Sequence, residues 1–151
     1  MASKPLIYHV FDGLTDAVKT SKVANTINNL PCIYIENRPT NIDEKVNSFV
    51  VIDLPTTVNR MIKGWRDQMT ETDGIFYLFV RCKNDGSSDA LSQTKRADAL
   101  MNLFPISTPY FVATNPRRMY SGHDAYDFQV TTIRFQIRTR LNADRLDETQ
   151  Q

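Results

Sequence analysis

The chain has 151 residues, 41% of them hydrophobic and 23% charged, with a formal net charge of +1 at pH 7. That length fits a single domain over 1–151 with its own core, and the balanced charge supplies no global field that makes nucleic acid or an anionic membrane the obligatory partner. No apolar run approaches the roughly 18 residues of a membrane span, and the opening MASKPLIYHVFDG lacks the blocks of a signal peptide, so the expectation is a soluble product of a cytoplasm.

Residues 5–18 place Leu6, Val10, Leu14, Ala17 and Val18 on one helical face, with Pro5 tolerated in the first turn. Gly13 costs that helix about 1 kcal/mol relative to Ala. The polar segment 19–29 is either a continuation of the helix or a loop. Leu30 to Glu36 is a first strand, with Cys32 and Tyr34 facing one way and Ile33 and Ile35 the other, closed by Asn37, Arg38 and Pro39. Ser48 to Leu54 is a second strand, stopped by Pro55 and paired with the first. The segment 56–73 is a short helix or the arms of a long hairpin.

The stretch from Gly74 to Pro105 combines a strand, a polar turn and an amphipathic helix. In the strand, Phe76, Leu78, Val80 and Cys82 make a fully apolar face. Ile75, Tyr77 and Phe79 begin a second face that passes into Arg81 and Lys83 and invites a partner or a second layer. NDGSSD supplies the turn and the helix cap. The helix, 89–104, sets Ala90, Leu91, Ala97, Leu100, Met101 and Phe104 on one side and Gln93, Lys95, Arg96 and Asn102 on the other. Tyr110 to Val112 is an edge strand, Arg117 to Tyr126 a loop by composition, and Asp127 to Leu141 the longest strand signal. In that last strand Ile133, Phe135, Ile137 and Leu141 alternate with Thr132, Arg134, Gln136, Arg138 and Arg140. A polar, frayed tail follows from about residue 142. The fold class expected is α+β: a largely antiparallel or mixed sheet of four to five strands, with two main helices packed on one face.

Candidate chemistry is sparse. Cys32 and Cys82 sit in apolar runs and are expected as reduced, buried thiols. His9 belongs on the wet side of its helix, and His123 with Asp124 and Asp127 lacks a nucleophile motif or metal-ligand spacing. Glu36 and Asp53 end their strands beside proline exits, where solvated acids are ordinary. NDGSSD has one glycine and no lysine of a phosphate loop. No catalytic, cofactor-binding or metal-binding residues are assigned, and the chain is not read as an enzyme. Two sets remain. Arg81, Lys83, Arg134, Arg138 and Arg140 form a basic stripe if their strands are neighbours, suited to phosphates or to salt bridges across a subunit boundary. Met61, Trp65, Ile75, Tyr77, Phe79, Arg117, Arg118 and Tyr120 form a candidate interface of aromatic and basic anchors.

Taken in order, these elements resemble the phage tail terminator or tail completion family, ring-forming proteins that cap the tail tube and join it to the head. The likeness is carried by PLIYHVFDGLTDAV (5–18), ENRP (36–39), SFVVIDLP (48–55), GIFYLFVRC (74–82), ALSQTKRADALMNLFP (90–105) and FQVTTIRFQIRTR (128–140). The resemblance implies a sheet with two helices packed on it, a homohexameric ring in the virion of a bacteriophage, and partners in the tail tube and neck or connector proteins. Transient, non-specific contact with passing DNA fits the same picture. The polar insert at 19–29 and the length of 56–73 depart from the family pattern. The alternative of a different class is a small nucleic-acid-binding module using the basic stripe; a third is a hydrolase or nuclease built on His123.

Overall fold

The computed structural model describes residues 6–39, 42, 45–54, 71–81, 90–123 and 128–139. Helix α1, Leu6–Ser21, buries Ile7, Val10, Phe11, Leu14 and Val18, a spacing that lines one stripe of a 3.6-residue turn. Lys22, at φ 59°, ends it in the left-handed region, and its N–H donates back to the Lys19 carbonyl at 3.2 Å. The undecided segment after it is a hairpin of β1 (Thr26–Ile27) and β2 (Leu30–Pro31). Its two central residues, Asn28 and Asn29, both have positive φ, as a primed two-residue turn demands and as asparagine tolerates.

A six-stranded mixed sheet follows, in the order β3-β4-β5-β8-β7-β6. Its strands are β3 (Ile33–Ile35), β4 (Ser48–Asp53), β5 (Glu71–Arg81), β6 (Ile106–Ser107), β7 (Phe111–His123) and β8 (Phe128–Thr139). Only β3 and β4 pair in parallel. The class is α+β as expected, but the sheet exceeds the expected four to five strands and a separate two-stranded sheet accompanies it. The additions, β1, β2 and β6, are two-residue strands too short to show a period. The strand expected at an edge over 110–112 is instead interior, between β8 and β6, and runs on through residues expected to be a loop. Arg117 to His123 continue β7, because the turn signal Asn115-Pro116 makes a bulge instead of a turn. The register slips between Thr114 and Arg117, with Asn115 at φ 56°. A bulge accepts a proline that a regular ladder position rejects.

Helix α2, Ala90–Met101, crosses β7 and β8 while α1 crosses β3 and β4, so both helices lie on one face of the sheet. There Val10 and Leu14 of α1 and Ala97 and Leu100 of α2 meet Val50, Ile52, Phe76, Leu78, Val80, Ile133, Phe135 and Ile137. Gln93, expected on the wet side of α2, is buried instead, its Nε2 donating to Thr131 Oγ1 at 2.5 Å. That bond offsets the cost of drawing an amide into the core. Gly13 is explained by the same packing: a Cβ there would lie 2.7 Å from the Phe111 ring. Gly74 is tighter still, with an added Cβ at 2.5 Å from the ring of Phe135 and 2.9 Å from Ile137 Cδ1.

Asn25 ties the hairpin to the sheet. Its Oδ1 accepts the backbone N–H groups of Asn47 (2.6 Å) and Ser48 (2.7 Å), and Ser48 Oγ donates to the Val23 carbonyl at 2.6 Å.

Two stability outcomes are expected in urea or thermal unfolding. Gly74→Ala destabilises by about 1–3 kcal/mol through overpacking. Asn25→Ala costs about 1–3 kcal/mol by stranding two donors, and Asn25→Asp, which keeps an acceptor, costs less. Unchanged midpoints for Gly74→Ala would contradict the close approach of Phe135.

Candidate functional site

Strand alternation sends Phe49 and Val51 of β4, Ile75, Tyr77 and Phe79 of β5, and Phe128 and Val130 of β8 to the face away from the helices. One end of that face is covered by the connection from β3 to β4. Ile42 and Val46 pack there with Phe49, Phe79 and Phe128. Phe49 and Phe79 stack at 4.5 Å between centroids, and Phe128 meets Phe49 edge-on at 5.1 Å. The Arg38 guanidinium carbon lies 5.7 Å from each of the three ring centroids. Arg81 lies 4.5 Å from the Phe128 ring, its Nε donating to the Val46 carbonyl at 3.1 Å. Two long cationic side chains therefore lie against aromatic rings, each laying its stem on apolar surface. Cys32, a buried free thiol, and Tyr34 join this cluster. Burial pushes the Tyr34 hydroxyl above its ordinary pKa, and its hydrogen bond with Cys32 acts in the same direction.

At the other end of the face the outward arginines of β7 and β8 are exposed, while Ile75 is buried and Asp53 and Asp73 are half-buried. Across the strands, Asp53, Ile75, Arg134 and Arg117 stand in one row, since Asp53 pairs with Ile75, Ile75 with Arg134, and Arg134 with Arg117. Arg117 and Arg134 are exposed, and Met119, in the next row, is 60% exposed. Toward the end of β5, Asp73 is opposite Gln136 and Glu71 opposite Arg138. Arg138 holds Glu71 through Nε at 3.0 Å and through Nη2. Asn115 Nδ2 donates to Gln136 Oε1 at 3.0 Å, beside a cleft of about 370 Å³ between the ends of β5, β8 and β7.

The expected residues fall unevenly on this surface. Strands β5 and β8 are neighbours, so the condition for a basic stripe is met, but they run antiparallel: Arg81 pairs with Phe128 and Glu71 with Arg138. Arg134 and Arg138 are exposed at one end, while Arg81 sits at the far end against Phe128. Of the interface set, Phe79 is buried beneath the second layer, Ile75 is 5% exposed and Tyr77 half-buried. Arg118 points to the helix side, with Nη1 2.6 Å from Asp98 Oδ1 of α2. Met61, Trp65, Cys82, Lys83, Asp124, Asp127 and Arg140, and the side chains of Tyr120 and His123, lie outside the described residues. His9, expected in solvent, is half-buried and stacks on Tyr110 at 3.9 Å and 5°. Among the described residues no three His, Cys, Asp or Glu side chains gather to hold a metal ion.

Arg38 and Asp73 were not singled out in the sequence. Period-two alternation continued back from Ile75 through Asp73 to Glu71 identifies the acids, although Asp73-Gly74 imitates a turn. Nothing local identifies Arg38 as the cation over the three rings. No family model matches the chain, and a search of curated proteins finds no match.

Arg38→Ala is expected to lower stability by about 1–2 kcal/mol and to increase binding of a hydrophobic dye at the uncovered rings. Wild-type stability and dye binding in this variant would show that the guanidinium does not hold the second layer.

Proposed function

We propose that the chain is a structural virion protein of a bacteriophage: a tail terminator or tail completion subunit, without catalytic activity, that forms a ring capping the tail tube and joining it to the neck or connector. The ring is homohexameric, as in the family the sequence resembles, and resides at the tail–neck junction. Its partners are further copies of itself, the tail tube protein and the neck proteins, with DNA passing through by weak contacts. The observation that carries this reading is the uneven second face of the sheet. Its aromatic end is covered, while its other end keeps Met119 60% exposed beside charged residues of both signs. An exposed methionine beside arginines and acids suits the polar and apolar mixture of a protein contact. The two helices on one face and the order of the elements support the same assignment.

A second reading, a small nucleic-acid-binding module, has one specific observation in its favour: the directly opposed, exposed Arg117 and Arg134. It requires DNA binding by the isolated monomer with a steep dependence on salt.

Native mass spectrometry and negative-stain imaging of the purified protein are expected to show rings, and antibody labelling of particles to mark the tail–neck junction. A compact monomer at every concentration, with no label on tails, would remove the reading.

A further inference from the structure

Charges on the half of the second sheet face away from the aromatic cluster are sorted by strand, the arginines exposed, Glu71 exposed and Asp53 and Asp73 half-buried. The acids Asp53, Asp73 and Glu71 lie on β4 and β5, and the arginines Arg134, Arg138 and Arg117 lie on β8 and β7. Glu71 and Arg138 meet across the boundary between the columns and neutralise each other. The other four do not: among the described residues, the side chains of Asp53, Asp73, Arg134 and Arg117 make no ion pair or hydrogen bond. Two of them, Arg117 and Arg134, are cross-strand partners, a like-charge opposition that disfavours the isolated sheet.

From this we infer that the half-face is a contact surface for a second copy of this chain, the arginine column of one copy seated on the acid column of the other. The inference rests on the reading of the chain as a self-assembling subunit and assigns the contact to named residues. Charge complementarity selects the occupant. A patch with both signs in adjacent columns is complementary to another copy of itself about a two-fold axis, a contact that pairs copies and is additional to the head-to-tail contacts that close a ring. It suits a phosphate backbone poorly, because Asp73 and Asp53 stand one and two strands from Arg134, within about 5–10 Å at the usual spacing. Those acids repel the polyanion that the arginines attract. A net charge of +1 leaves two copies free of strong long-range repulsion. Exposed Met119 and half-buried Tyr77 lie in the row beside Arg117 and Arg134 and supply apolar area to the same contact.

The test is a charge exchange on the full chain, read by native mass spectrometry and analytical ultracentrifugation at about 150 mM salt. R117E/R134E makes the face uniformly acidic and D53K/D73K makes it uniformly basic. Each alone is expected to weaken self-association at least tenfold, and an equimolar mixture to restore assembly in mixed oligomers. Circular dichroism melts establish folding, and the milder Arg117→Gln with Arg134→Gln replaces any charge-reversed variant that fails to fold. Wild-type assembly that persists unchanged in R117E/R134E, or in the glutamine variant, overturns this contact and leaves the ring reading standing. A wild-type protein that stays monomeric at every concentration overturns both. A monomer that binds DNA and loses binding in R117E/R134E assigns the arginines to nucleic acid and overturns the inference as well.

Discussion

Strand β5 has a hydrogen-bonded neighbour on each side, β8 along its eleven residues and β4 along six, and everything else in the molecule is arranged around its two faces. Thr72, Gly74, Phe76, Leu78 and Val80 turn toward the helices, and the missing side chain at Gly74 is replaced by the ring of Phe135 from β8. That ring lies 4.7 Å from Phe76 and 4.9 Å from Phe104, so the close approach at one glycine also anchors the segment that leaves α2. On the opposite face Phe79 is the floor on which Phe49, Phe128 and the Arg38 connection are laid. A strand that is apolar on both faces needs two layers of cover, and among the described residues the helices cover only one of them.

Over the aromatic end of the second face the described cover comes from a connection. Between β3 and β4 the chain returns across the aromatic end of the sheet, contributing Ile42 and Val46 and placing a guanidinium over three rings. Arginine suits that position because its planar cation stacks on aromatic faces with less loss of hydration than an ammonium. Arg81 works similarly from the sheet itself, bridging the Phe128 ring and the Val46 carbonyl. Both cations are committed to holding the fold, and the groups left over for contact with another molecule lie at the other end of β5.

Much of this was legible wherever a period persists. Helix α1, strands β4, β5 and β8 and the burial of alternate residues in β8 follow from repeats of 3.6 and 2, and Cys32 and Tyr34 do face away from Ile33. Short or punctuated elements were not legible. The Asn28-Asn29 turn joins strands of two residues, β6 is as short, and Asn115-Pro116 signals a stop where β7 only bulges. Gln93 needed knowledge of Thr131 opposite it. At the candidate site, alternation alone put Arg134 and Arg138 on one face, but which arginines meet depends on strand direction. Antiparallel pairing carries Arg81 ten ladder positions from Arg138, roughly 34 Å, and brings up Arg117 from a segment that reads as a loop.

Orientation matters more than attraction for charges placed in this way. In water, exposed arginines opposite one another repel weakly because the high dielectric weakens the interaction and their long side chains can splay apart, so the monomer tolerates Arg117 beside Arg134. The same columns brought against a second surface lose solvent, and the distinction between like and unlike columns grows as the effective dielectric falls. Facing unlike columns repays part of the desolvation, whereas facing like columns costs several kcal/mol. The apolar area around Tyr77 and Met119 then supplies attraction without direction, and the sorted charges supply direction. Direction counts at least as much as attraction for any contact between copies, because a strong contact in the wrong register builds an open aggregate instead of a closed assembly.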